Sequence, residues 1–192
     1  MISPGSLDEV LSALGATLAD RGLAYEVVVV GGSGLLLLGL TARPTRDVDV
    51  VAIRLDGEFR KPAPLPPSLL EASADVARAF DLRTDWLNAG PADLMDFGLP
   101  DGFAERLRPK TYGGLTLHVI GRSDQIALKL YAAADQGRDS RHIQDLRALE
   151  PSESELLDSG RWAMTHDPSS GFRSELVLLL AHIGVEDAER KL

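Results

Sequence analysis

The stretch VVVVGGSGLLLLGLTARPTRDVDVVAI, residues 27–53, carries two unusual features within one short length of chain. An apolar, β-branched run ends at Gly31-Gly32-Ser33, the signature of a strand buried on both faces that stops at a tight corner. SGLLLLGL follows and is apolar all round, which predicts a short buried helix. After a Pro-containing turn, RDVDVVAI reads as a second buried strand. Residues two apart in a strand share a face, so Asp47 and Asp49 lie side by side while Val48 and Val50 point the other way. Two carboxylates held together in an apolar strand repel each other and are costly to desolvate. A divalent cation removes both costs, and Mg²⁺ takes carboxylate oxygens together with water and substrate phosphate. A strand end whose acids simply reach water is the plainer alternative. The glycine corner so close by favours the metal.

The corner itself matches neither common phosphate-binding motif. A Walker A loop needs Lys and Ser/Thr after its last glycine, and Leu35 and Leu36 stand there. A dinucleotide fingerprint counted from Gly32 and Gly34 needs a sixth-position glycine, and that residue is Leu37. What remains is a strand-to-helix turn. It is either a close-packed corner only or, through its free amides, a seat for an anion such as a triphosphate.

Composition narrows the setting. The chain has 192 residues, 44% of them hydrophobic, enough for one core or for a core with a small appended domain. It contains no Cys, so disulfides, thiolate zinc sites and a cysteine nucleophile are excluded. MISPGSLDEVLSALG lacks the basic start and apolar centre of a signal peptide, and the apolar runs fall short of the ~20 residues that span a bilayer. A soluble, cytoplasmic protein without membrane contact is expected. The formal net charge of −9 is opposite in sign to that of a generic nucleic-acid binder. Local basic groups exist at Arg106, Arg108 and Lys110, and at Arg138, Arg141 and Arg147. They are either solvated faces or phosphate contacts.

Helical spacing in SLDEVLSALGATLADRG predicts a first helix, with Ser6 as cap and Glu9 as its capping-box partner. KPAPLPPS is a loop, and SLLEASADVARAF is a helix capped by Ser68 with Glu71. LRTDWLN and LTLHVIG read as third and fourth strands. ADLMDFGLPDGFAERLRP between them carries a short helix. From Ser123 onward the pattern is helical only: SDQIALKLYAAADQG, DSRHIQDLRALEP, SESELLDSGRWAMTHD and SGFRSELVLLLAHIG. The expected organisation is an α/β (α+β) core over residues 1–121 and a helical domain over 122–192.

Residues 27–53 resemble the opening of the DNA polymerase β-like nucleotidyltransferase fold, a mixed sheet followed here by a helical bundle. They are similar, more closely, to minimal nucleotidyltransferases of the AbiEii and MenT toxin type. In that family Gly-Gly-Ser opens the phosphate-binding helix and Asp-x-Asp on the next strand holds Mg²⁺. DQIALKLYAAADQGRDSRHIQDLRAL extends the resemblance, with a helix bearing an essential Lys, an Arg-rich turn and a helix of the form R-D-x-x-D-L. Lys129 corresponds to the Lys and Asp145 to the last acid, while His142 stands where the pattern has its first Asp. The resemblance spans about residues 27–149. It implies Asp47, Asp49, Lys129 and Asp145 as catalytic residues and Asp47 and Asp49 as metal ligands. Gly32, Ser33 and Arg46 fall in the nucleotide site. It implies Mg²⁺, with Mn²⁺ as the alternative, and an NTP substrate. It further implies tRNA as acceptor, a cognate antitoxin as partner, and Thr45 as a hydroxyl open to inhibitory phosphorylation.

The residues themselves leave room beside this reading. Lys129 is the one charge in IALKLYAAA and must find an anion or snorkel to water. Asp145 at the edge of an apolar face suits an ordinary ion pair. Asp85 in LRTDWLN is the candidate third carboxylate, although Thr84 or Trp86 competes for the same face. Two further functions stay open: an antibiotic-type nucleotidyltransferase acting on a small hydroxylated molecule, and a noncatalytic binding protein on the same fold.

Overall fold

The computed structural model describes residues 1–62, 64–137 and 140–192. The chain divides into two compact units, Met1–Gly121 and Arg122–Leu192.

The first unit begins with α1 (Pro4–Asp20), β1 (Tyr25–Val30), α2 (Gly31–Leu37), β2 (Val48–Leu55) and β3 (Glu58–Arg60). It continues with α3 (Pro67–Ala79), β4 (Leu87–Asn88), a 3-10 turn (Gly90–Asp93), α4 (Leu94–Phe97), α5 (Phe103–Arg106), β5 (Arg108–Tyr112) and β6 (Leu115–Val119). The strands form one six-stranded mixed sheet in the order β3-β2-β1-β6-β5, with β4 added beside β2. β1 runs antiparallel to β2 and parallel to β6. β4 pairs in parallel with the start of β2, and β3 pairs with its end. The fold is thus the expected α/β arrangement.

One face of the sheet presents Val27, Val29, Val48, Val50, Ile53, Leu115, Leu117 and Val119. These share a buried cluster with Leu7, Val10, Leu11, Leu14 and Leu18 of α1 and with Leu69, Ala72, Val76 and Ala77 of α3. The opposite face carries Val28, Val30, Asp49 and His118, because each is paired with a neighbour of the same orientation across β1, β2 and β6.

Two helix starts differ from expectation. α1 is capped by Ser3, which forms a reciprocal capping box with Ser6, so Ser6 is the third helical residue. Pro4 at the first position sets that start, since its missing N–H is not needed there. α3 starts after Pro66, and Ser68 lies inside it with its hydroxyl on that of Tyr25. LRTDWLN contributes only Leu87–Asn88 to the sheet.

The second unit is helical throughout its described residues: α6 (Arg122–Gln136), α7 (Arg141–Leu149), α8 (Glu153–His166), α9 (Ser170–His182) and α10 (Ala188–Lys191). α7 buries His142, Ile143, Asp145, Leu146 and Leu149 and exposes Arg141, Gln144 and Arg147. Arg122 donates to the carbonyls of Leu149 and Glu150 and pairs with Glu155, tying α6 to the α7–α8 turn. Among the described residues no helix is long and apolar enough to cross a membrane.

Candidate active site

β1 delivers the chain to Gly31 and β2 brings the acids back beside it. Val30 and Asp49 are register partners across the two strands. Gly31 has φ +73°, a conformation L side chains rarely adopt. A Cβ on it would lie 2.6 Å from Asp49 Oδ2, so the carboxylate packs directly over the turn. A Cβ on Gly32 would lie 3.0 Å from Thr45 Oγ1. The glycine pair is therefore what lets the helix start approach the segment holding the acids. Asp47, just ahead of β2, and Asp49, its second residue, are both half-buried.

The second oxygen of Asp49 is also engaged. Asn88, its register partner on β4, donates from Nδ2 to Asp49 Oδ1 at 3.2 Å. Asn88 Oδ1 in turn accepts from the Gly90 amide at 2.8 Å. This residue escapes a reading of the sequence alone. Its only signal is a polar side chain closing the apolar end of a strand.

The remaining candidates are placed as follows. Ser33 is fully buried, and its hydroxyl donates to the Val30 carbonyl at 3.2 Å, inside the turn. Thr45 is buried, donates to the Asp47 carbonyl at 3.1 Å, and is bridged through its backbone to Ile2 in both directions. Arg46 is exposed in the bend between Thr45 and Asp47. Asp85 lies outside the strand, exposed, with its carboxylate gripped by Arg83 at 2.8 and 2.6 Å. That guanidinium holds the Asp85 carboxyl below its usual value. The position beside Asp49 belongs to Asn88, because the chain enters the sheet only at Leu87.

In the helical unit Lys129 and Asp145 form an ion pair of 2.7 Å, joining α6 to α7. Of the basic groups, Arg138 lies outside the described residues. Arg106 is half-buried and donates to the Asp101 carbonyl at 2.8 Å. Arg108 and Lys110 on the edge strand β5 pair with Val119 and Leu117. They therefore project on the α1 face of the sheet, opposite to Asp49.

Residues 6–160 match the family model described as "Nucleotidyltransferase of unknown function (DUF6036)". The chain belongs to this nucleotidyltransferase family. Comparison with curated proteins and with solved structures gives no match. A glycine turn packed beside two acids sets backbone able to approach phosphate next to carboxylates able to hold a cation. Among the described residues no three His, Cys, Asp or Glu side chains converge as a metal cluster. Two carboxylates still fit Mg²⁺, which is bound through one or two protein carboxylates with water and substrate phosphates completing its shell.

Proposed function

We propose that this protein transfers a nucleotide from an NTP to the 3′ end of an RNA, tRNA above all, in a Mg²⁺-dependent reaction. The observation that carries the reading is the packing of Asp49 Oδ2 over Gly31, with Asp47 at the same strand end, in a chain of a nucleotidyltransferase family. Asp47 and Asp49 are the residues that would hold the metal. Bound there, it would neutralise phosphate charge and stabilise the attacking and leaving oxygens. The amides of Gly32 and Ser33, with Arg46, would orient the triphosphate. The acceptor hydroxyl gives up its proton to solvent as its oxygen bonds to the α-phosphorus, the bond from that phosphorus to the bridging oxygen of the β-phosphate breaks, and pyrophosphate leaves. The AbiEii and MenT resemblance supports catalytic roles for Lys129 and Asp145, which form a buried ion pair. The AbiEii and MenT resemblance supports a toxin role, blocking translation under control of a cognate antitoxin. Thr45 is the site for inhibitory phosphorylation. A phosphate there would add about −1.5 to −2 charge beside the two acids, and its burial requires the Ile2 bridge to open first.

A second reading, transfer to a small hydroxylated molecule, is favoured by the net charge of −9 and by the placement of Arg108 and Lys110 on the face away from Asp49. Incubation with labelled NTPs, Mg²⁺ and total tRNA, resolved on a gel, tests the choice. Labelled tRNA is the expected product. Label confined to small hydroxylated acceptors overturns the RNA reading, and no transfer to either class overturns the catalytic one.

A further inference from the structure

We propose that Asn88 is a positioning residue for the transfer site, fixing the rotamer of Asp49 and keeping the protein's contribution to the metal at two carboxylates. The inference rests on the proposed function, since it assigns Asp49 to a cation. Three contacts carry it. The Gly90 amide donates to Asn88 Oδ1 at 2.8 Å, which decides the orientation of the side-chain amide: oxygen toward Gly90, nitrogen toward Asp49. The Nδ2 group then donates to Asp49 Oδ1 at 3.2 Å. The other oxygen, Oδ2, rests over Gly31.

The carboxylate is thus fixed by the Asn88 amide at Oδ1, while Oδ2 occupies the space that a Cβ on Gly31 would fill. β4 exists in the sheet for two residues only, and one of them is the register partner of Asp49. A neutral donor at this place does what a third acid cannot. It orients Asp49 without adding negative charge, so the pair of acids is repelled less before a cation arrives. Residues that orient metal ligands through hydrogen bonds matter to the metal nearly as much as the ligands do.

The test is direct binding of Mn²⁺ alone, followed by electron paramagnetic resonance, in wild type, Asp49→Asn, Asn88→Ala and Gly90→Ala. Asn88→Ala is expected to weaken Mn²⁺ binding by about tenfold or more, the usual effect of losing a residue that orients a metal ligand. Gly90→Ala keeps the amide but brings a Cβ to 2.9 Å from Asn88 Oδ1, so it should weaken binding in the same direction and by less. That variant also serves should Asn88→Ala fail to fold. In transfer assays the Asn88 effect should appear as a raised KM for Mg²⁺ more than as a lowered kcat. Loss of binding in Asp49→Asn with wild-type affinity in both other variants overturns the role of Asn88 alone. Absence of Mn²⁺ binding in the wild type, or equal binding by Asp49→Asn, overturns the metal site beneath it.

Discussion

Lys129 Nζ lies 2.7 Å from Asp145 Oδ2, with the two side chains only 7% and 2% exposed. Such a pair owes its burial to mutual neutralisation. Removing one member leaves a charge in a low-dielectric setting and costs about 3–5 kcal/mol, whereas replacing both with apolar groups is often neutral. Lys129→Met is therefore expected to lower unfolding free energy by about that amount, and Lys129→Met with Asp145→Leu to recover most of it. Urea titrations followed by circular dichroism measure both. Transfer activity separates structure from chemistry. If Lys129 steadies the triphosphate, the double variant is folded yet inactive; a stable and active double variant makes the pair purely structural.

Asp47 and Asp49 give the opposite balance. Both are half-buried, Asp47 just ahead of β2 and Asp49 its second residue, and two like charges held close together would cost the folded chain stability in the absence of a cation. Asp47→Asn and Asp49→Asn should leave the melting temperature unchanged or raised. Transfer should fall at least about a hundredfold, equivalent to about 3 kcal/mol of lost transition-state stabilisation. Scanning calorimetry and a labelled-NTP assay on the same preparations check this. Wild-type turnover by Asp49→Asn ends the assignment.

Gly31→Ala separates conformational strain from contact. The positive φ alone costs a non-glycine residue about 1–3 kcal/mol. The new Cβ also collides with Asp49 Oδ2. The substitution should destabilise the wild type more than it destabilises an Asp49→Ala background, where the collision is gone and only the backbone cost remains. Equal losses in the two backgrounds, measured by denaturant titration, show that the carboxylate does not sit on the turn.

Acid sensitivity of the helical unit is expected to run through Glu155. Hydrogen bonding to the Arg122 guanidinium, and next the Ser152 amide, holds its carboxyl below the usual value. A depressed folded-state value means stability that is present above the unfolded value, about 4.3, and lost as pH falls through the folded one. Glu155→Gln should thus melt lower than wild type at neutral pH, with the gap closing in acid. A gap that stays constant from neutral pH to pH 3 excludes this linkage.

What the sequence disclosed follows from what is local. The glycine corner, the strand that carries Asp49, and the helical periods after Ser123 are all short-range patterns, whereas Asp47 falls one residue ahead of the strand expected to hold it. The misses depend on pairing. β3 and β5 are edge strands. Arg108, Pro109 and Lys110 hide β5 as a loop, although charges and Pro are what an edge strand tolerates. Both had turn signals, Gly113-Gly114 before β6 and Asp56-Gly57 before β3. The latter pair adopts φ 53° and 83°, the two positive values a tight hairpin turn requires. Asn88 was beyond reach because its meaning lies in a parallel pairing with β2 across a long excursion of chain. Asp85 is the nearby acid that a sequence displays, whereas a register partner is not visible there.

Charge placed on faces offers a test of the proposed RNA acceptor. Arg141 and Arg147 are exposed on α7, Arg147 on the side away from buried Asp145 and Arg141 at the first position of the helix. Arg108 and Lys110 sit on the α1 face of the sheet, away from Asp49. A chain of net charge −9 repels RNA at long range, so the proposed RNA binding would have to come from a few local phosphate contacts. Arg141→Glu with Arg147→Glu should weaken tRNA binding and flatten its salt dependence. The slope of log affinity against log salt should drop by about 0.7–0.9 for each phosphate no longer neutralised. NTP binding should hold. Arg108→Glu with Lys110→Glu is the matched control with the same charge change, and it should leave transfer unchanged. Filter binding across a salt series, beside NTP titration, reads all of these. Equal effects from both double reversals would mean that only net charge matters. No effect from either on tRNA binding would remove Arg141 and Arg147 as RNA contacts.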